Sequence, residues 1–187
     1  MRHKAPHLPA RLLDTESRMP IDYSQPGYKE MFANYGLTAI EALSLEKSLL
    51  LLTAAIDNLG NGNLPREMLQ EYLESPRNNP MRKRPMGNLI DEVNKRINIP
   101  PPLEANLKKA VTDCNHIIHH FFMDEYETMI LPNGPTILSN KLRPIRDFFA
   151  AVHSEVDELV GLVIAELRKP KNEISPNVRN MLKGSDF

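Results

Sequence analysis

The chain has 187 residues, 41% hydrophobic and 25% charged, which suits one globular domain with extensions. Twenty-three basic residues against twenty-four acidic ones give a formal charge of −1 at pH 7, so coating nucleic acid by bulk charge is excluded and only local basic patches are left. The one cysteine, Cys114, can form neither an internal disulfide nor a cysteine-built zinc cluster, and it suits a reducing compartment such as the cytoplasm.

Residues 1–34 hold four prolines and little periodicity, and the spacing predicts a mostly irregular arm that Tyr23, Tyr28 and Phe32 pin to the domain. Met1–Ala10 lacks the apolar stretch of a secretory signal. The longest apolar run, Leu49–Leu52, is too short to cross a membrane.

A bundle domain is expected over 35–168. Thr38 and Glu41 read as a capping box that starts a helix over about 38–59, with Gly60 as its stop. This helix is apolar on two sides. Leu45, Leu49, Leu52, Ile56 and Leu59 form one stripe, and Ile40, Leu43, Leu50, Leu51 and Ala54 form another, which suits a central helix or a subunit interface.

A short helix is expected at 64–74. An exposed loop follows whose cations Arg77, Arg82, Lys83 and Arg84 are candidate contacts for RNA phosphates or an acidic partner. An amphipathic helix is expected over 86–97. The next, over 102–123, has the clearest pattern: Leu103, Leu107, Ala110, Val111, Cys114, Ile117, Ile118, Phe121 and Phe122 share one arc. The last helix runs to 168 from 136 or from 144, with Pro144 either in its first turn or at a kink. Residues 169–187 read as a polar tail. Nothing alternates with period two over a useful length, so the fold class is all-α, an antiparallel up-and-down bundle of four or five helices.

The chemistry concentrates in Asp113–His120, where His116, His119 and His120 lie within five residues. Asn115 and His119 share one polar flank with Lys108; His116 and His120 share the other with Asp113 and Lys109. Histidine exchanges protons near neutral pH, so His119 and His120 are candidates for acid–base work, and His116 and Lys108 for contact with RNA or a partner. A zinc-protease reading lacks its glutamate, since Ile117 follows His116. No metal, cofactor, phosphate loop or DNA-specific motif is expected.

The run CNHIIHHFF resembles the signature of the HEPN superfamily (higher eukaryotes and prokaryotes nucleotide-binding): an arginine, a polar residue, and a histidine a few residues later. Together with EALSLEKSLLLL and GNLIDEVNKR, it is similar to small bacterial HEPN-like proteins over about residues 35–168. The resemblance implies a helical bundle that often dimerises. It also implies, for active members, metal-independent RNA cleavage at a dimer cleft. Asn115 matches the polar residue and His119 the histidine, with His120 as a second option, while the arginine's position falls on Cys114. A thiol cannot clamp a phosphate as a guanidinium does. The expectation is therefore a homodimeric module that binds RNA or a protein partner without cleaving. The alternative is a divergent endoribonuclease using His119 or His120, with Asn115 positioning the phosphate or ribose and a cation from elsewhere, Lys108 or one of Arg82, Lys83 and Arg84, replacing the missing arginine. The periodicity places Cys114 in the core, where an arginine would bury an unpaired charge.

Overall fold

Proline opens the first helix. In the computed structural model, which describes residues 23, 24, 26–59, 85–167 and 169–183, α1 spans Pro26–Asp57, with its imino acid where the missing N–H costs nothing. Thr38 is thus interior rather than a cap: it is buried, and its Oγ1 donates to the Asn34 carbonyl at 2.8 Å. Aromatic packing extends the helix N-terminally. Tyr28 is buried with its hydroxyl donating to the Met129 carbonyl at 3.0 Å, and Tyr35 stacks against Phe122 with ring centroids 4.6 Å apart. Residues 26–34 of the expected arm are therefore helical.

The remaining elements are α2 (Met86–Arg96), α3 (Pro101–Asn115), a π-helical turn (His116–His120), α4 (Phe121–Asp124), α5 (Tyr126–Met129), α6 (Gly134–Glu166), a 3-10 turn (Lys171–Glu173) and α7 (Pro176–Met181). Among the described residues all regular structure is helical, apart from one isolated bridge between Ile97 and Leu182. No described helix is long and apolar enough to cross a membrane. The expected helix at 64–74 and the loop cations Arg77, Arg82, Lys83 and Arg84 lie outside the described residues.

The pairing of α1 with α6 organises the molecule, and the two run in the same direction. Gly27 faces Pro135, Glu30 pairs with Arg143, and Ser48 donates to Asp157. α3 runs against both: just past its end, Ile117 accepts from Tyr35 of α1 at 3.2 Å and clusters with Leu138 and Leu142 near the start of α6, while Lys109, earlier in α3, lies over Phe148 further along α6. α2 runs with α1, since Gly87 faces Val111 on α3 and Arg96 reaches Asp57 at 2.6 Å. Consecutive helices α2, α3 and α6 therefore alternate in direction.

α6 is continuous through Pro144, which lies inside it. Its start is fixed by a close approach: a Cβ on Gly134 would collide with the Thr128 carbonyl, so only glycine fits. The main core joins Leu45, Leu49 and Leu52 of α1 to Phe149, Val152 and Val156 of α6 and Leu89 and Val93 of α2. A second cluster at the other end of α1 joins Met31, Ile117, Phe121, Leu138 and Leu142.

The polar tail of the sequence reading is in part a docked element. Ile174, Val178 and Leu182 are buried, the Asn98 N–H donates to the Met181 carbonyl at 2.7 Å, and Lys183 N–H donates to the Arg96 carbonyl at 2.7 Å. Its three apolar residues are too few to declare themselves by periodicity, but they close the end of α2 and α6.

Candidate functional site

The expected single helix over 102–123 contains a π turn, and the histidines occupy it. The Phe121 N–H reaches back to the His116 carbonyl, one residue further than an α-helix allows, and His120 departs from helical geometry at φ −124°, ψ −25°. Ile117 and Phe121, four residues apart, are both buried, as the periodicity expects. Ile118 is 41% exposed, against the expectation of an unbroken apolar arc.

His119, His120 and Asn115 are exposed, on the outer surface of the turn. The rings of His119 and His120 lie 6.3 Å apart, edge to face. His116 is half-buried, edge-on to Phe121, with Nδ1 3.5 Å from Asp124 Oδ2. Lys108, expected beside Asn115 and His119, is engaged with Glu104 at 2.7 Å. Lys109 pairs with Asp113 and lies 4.0 Å above the Phe148 ring. The turn is thus accessible and rich in imidazole, while both neighbouring lysines already have counter-charges. Among the described residues no group of three or more histidine, cysteine or carboxylate side chains is placed to hold a metal ion.

Cys114 is half-buried, and it packs against the main core. Burial pushes its thiol pKa up, and the nearby Glu46 carboxylate pushes it further in the same direction. Burial likewise raises the Glu46 carboxyl. The position that the resemblance assigns to an arginine therefore holds a half-buried thiol whose neutral form is favoured by burial and by the Glu46 charge.

One polar cluster escaped the sequence reading. His153 Nε2 lies 3.1 Å from Ser48 Oγ and 3.2 Å from Asp157 Oδ2, and its Nδ1 lies 3.7 Å from Glu41 Oε2. His153 and Asp157 are one helical turn apart and so were visible as a pair, but Ser48 and Glu41 join them only through the α1–α6 packing. The order acid–histidine–serine suggests a nucleophile, and the geometry refuses it. Ser48 is buried, its hydroxyl proton goes to Asp157 Oδ1 at 2.6 Å, and it sits mid-helix where the backbone amides are committed. The cluster is a polar seam between α1 and α6.

Comparison of the chain with protein-family models, curated proteins and solved structures found no match.

Proposed function

We propose that the chain is a HEPN-like, antiparallel up-and-down bundle that binds rather than cleaves, presenting the π turn to RNA or a protein partner as a cytoplasmic homodimer. One observation carries this reading: His119, His120 and Asn115 are displayed together on the surface, while the adjoining position holds the half-buried Cys114 in place of an arginine. Imidazole and amide can hydrogen-bond a nucleotide or a peptide, but both lysines described beside the turn are already ion-paired, which weakens their support for the charge that develops on a cleaving phosphodiester.

A second reading draws on the same exposure. A metal-independent endoribonuclease would use His119 or His120 as general acid–base and Asn115 to position the phosphate or ribose. Incubating the purified protein and its His119→Ala variant with varied RNAs separates the two. Absence of cleavage, with binding weakened in the variant, is the expected result. Cleavage by the parent that the variant loses, with its fold intact, overturns it. Light scattering checks the dimer: a monomer at micromolar concentration removes that part of the reading.

A further inference from the structure

Along the outer side of α1 the residues Lys29, Ala33, Gly36, Ile40, Leu43 and Lys47 follow one another at alternating steps of four and three, which places them in one line on one face. Continuing the same steps gives Leu50, Ala54 and Asp57. The two halves of this line fare differently. The upper part is covered: Leu50 and Ala54 are buried, α2 packs against α1, and Asp57 ion-pairs with Arg96 of α2. The lower part is open. Ile40 is 57% exposed and Leu43 59%, and a Cβ on Gly36 would meet no atom within 4 Å.

The charge on the open half is one-sided. Lys29 and Lys47 stand at its two ends, and neither forms an ion pair with any described residue. No carboxylate lies on the line between them. The acidic residues of this stretch point elsewhere: Glu30 pairs with Arg143, Glu41 faces His153, and Glu46 lies beside Cys114. Singly exposed apolar residues are ordinary, but Ile40 and Leu43 exposed together on a line that ends at both sides in lysines with no ion pair among the described residues are not.

We infer that the open half of this face, Lys29 to Lys47, docks an amphipathic helix of a protein partner whose apolar stripe is flanked at each end by carboxylates. The protein already uses the upper half in this way. There an amphipathic helix lays Leu89, Ile90 and Val93 inward and closes its end with the ion pair Arg96–Asp57, and the lower half offers the same apolar line with the opposite sign of charge. The span from Lys29 to Lys47 corresponds to about 27 Å, or five turns of a docked helix. The dip at Gly36 admits a large partner side chain. Paired carboxylates at the rim set orientation and rate of association, while the apolar centre supplies the affinity. This face is separate from the histidine turn, so its fate does not decide the RNA reading.

The test uses the full chain and two synthetic helical peptides of about eighteen residues with the same leucine stripe, one flanked by glutamates and one by lysines. Fluorescence anisotropy is expected to show the glutamate-flanked peptide bound at least about ten times more tightly, with the preference weakening in high salt. In the double variant Lys29→Glu/Lys47→Glu the preference inverts. Ile40→Asp abolishes binding of both peptides, and Leu43→Ser serves in its place if Ile40→Asp fails to fold. Several results overturn the inference: neither peptide binds, the double variant keeps the parental preference, or the apolar substitution leaves binding unchanged. So does a parent that self-associates through this face and is dispersed by Ile40→Asp, because the occupant is then a second copy. Binding of the parent to phosphatidylglycerol vesicles, lost in the double variant, without binding to either peptide, overturns it in favour of a lipid surface.

Discussion

The Glu46 carboxylate of α1 acts electrostatically on the Cys114 thiol of α3, and neither side chain has a hydrogen-bond or ion-pair partner among the described residues. Burial raises the carboxyl above its ordinary 4.5, so the folded state holds this proton more tightly than the unfolded chain does. The contribution to stability is present below about pH 4.5 and is lost as pH rises through the raised value. Glu46→Gln removes that loss. It is expected to be more stable than the parent at pH 7 and equal to it near pH 3.5, as read by urea denaturation at the two pH values. A variant less stable than the parent at pH 7 contradicts this account.

The same pair changes what an arginine at position 114 does. The sequence alone puts the residue in the core, where a guanidinium would be unpaired. The structure leaves Cys114 half-buried beside a carboxylate. Cys114→Arg is therefore expected to cost no more than about 2 kcal/mol, and about 1 kcal/mol more when Glu46 is glutamine. A double-mutant cycle on denaturation midpoints measures the coupling, and strict additivity refutes it.

Ser48 holds the seam between the parallel helices α1 and α6 through Asp157 and His153. Ser48→Ala removes the hydrogen bond to Asp157, whose carboxylate is half exposed and keeps His153 beside it, and a loss of about 1 kcal/mol is expected in thermal or chemical unfolding. An unchanged midpoint shows that water replaces the hydroxyl at no cost.

The tail makes a sharper prediction because its sequence reads as polar. Val178 is 1% exposed, under the chain that bridges Ile97 to Leu182. Val178→Asp places an unpaired charge there, and a cost of about 3 kcal/mol or more is expected, with the tail becoming cleavable by limited proteolysis. A variant as stable and as protease-resistant as the parent shows that α7 contributes nothing.

Acid weakens the same attachment. Glu166 accepts from Lys169 Nζ at 3.0 Å and from the Ser175 N–H at 3.0 Å, and these bonds hold its carboxyl below the ordinary 4.5. A depressed carboxyl contributes stability above its unfolded value and loses it as pH falls through the folded one. Tail protection, followed by hydrogen exchange of residues 174–182, is expected to hold at pH 6 and to decline below about pH 4.5. In Glu166→Gln this acid dependence flattens. The same decline in the variant shifts the cause to other carboxylates.

Much of the fold was legible because long amphipathic helices announce themselves. The stripe Phe149, Val152, Val156, Val160 and Val163 needed only the 3.6-residue period, and α2 lay where Leu89, Ile90 and Val93 put it. The misses had local causes. Thr38 and Glu41 fit a capping box, but aromatic packing at Tyr28 and Tyr35 outweighed it and carried α1 back to Pro26. Period counting assumes an unbroken hydrogen-bond ladder, so it could not foresee that Ile118 leaves the arc. At the candidate site, the exposure of His119 and His120 followed from the pattern, whereas the engagement of Lys108 by Glu104 and the approach of Glu46 to Cys114 depend on side-chain choices and helix packing that spacing does not encode.

The π turn also makes chain length in this stretch a variable of its own. Between His116 and Phe121 the backbone hydrogen bond closes over one residue more than in a regular α-helical turn. Deleting Ile118 would let the ladder close in ordinary α-helical form with Phe121 still on the inside, and the two neighbouring imidazoles would swing to new bearings around the axis. What the surface offers at this point is thus set by how many residues the turn contains as well as by which ones.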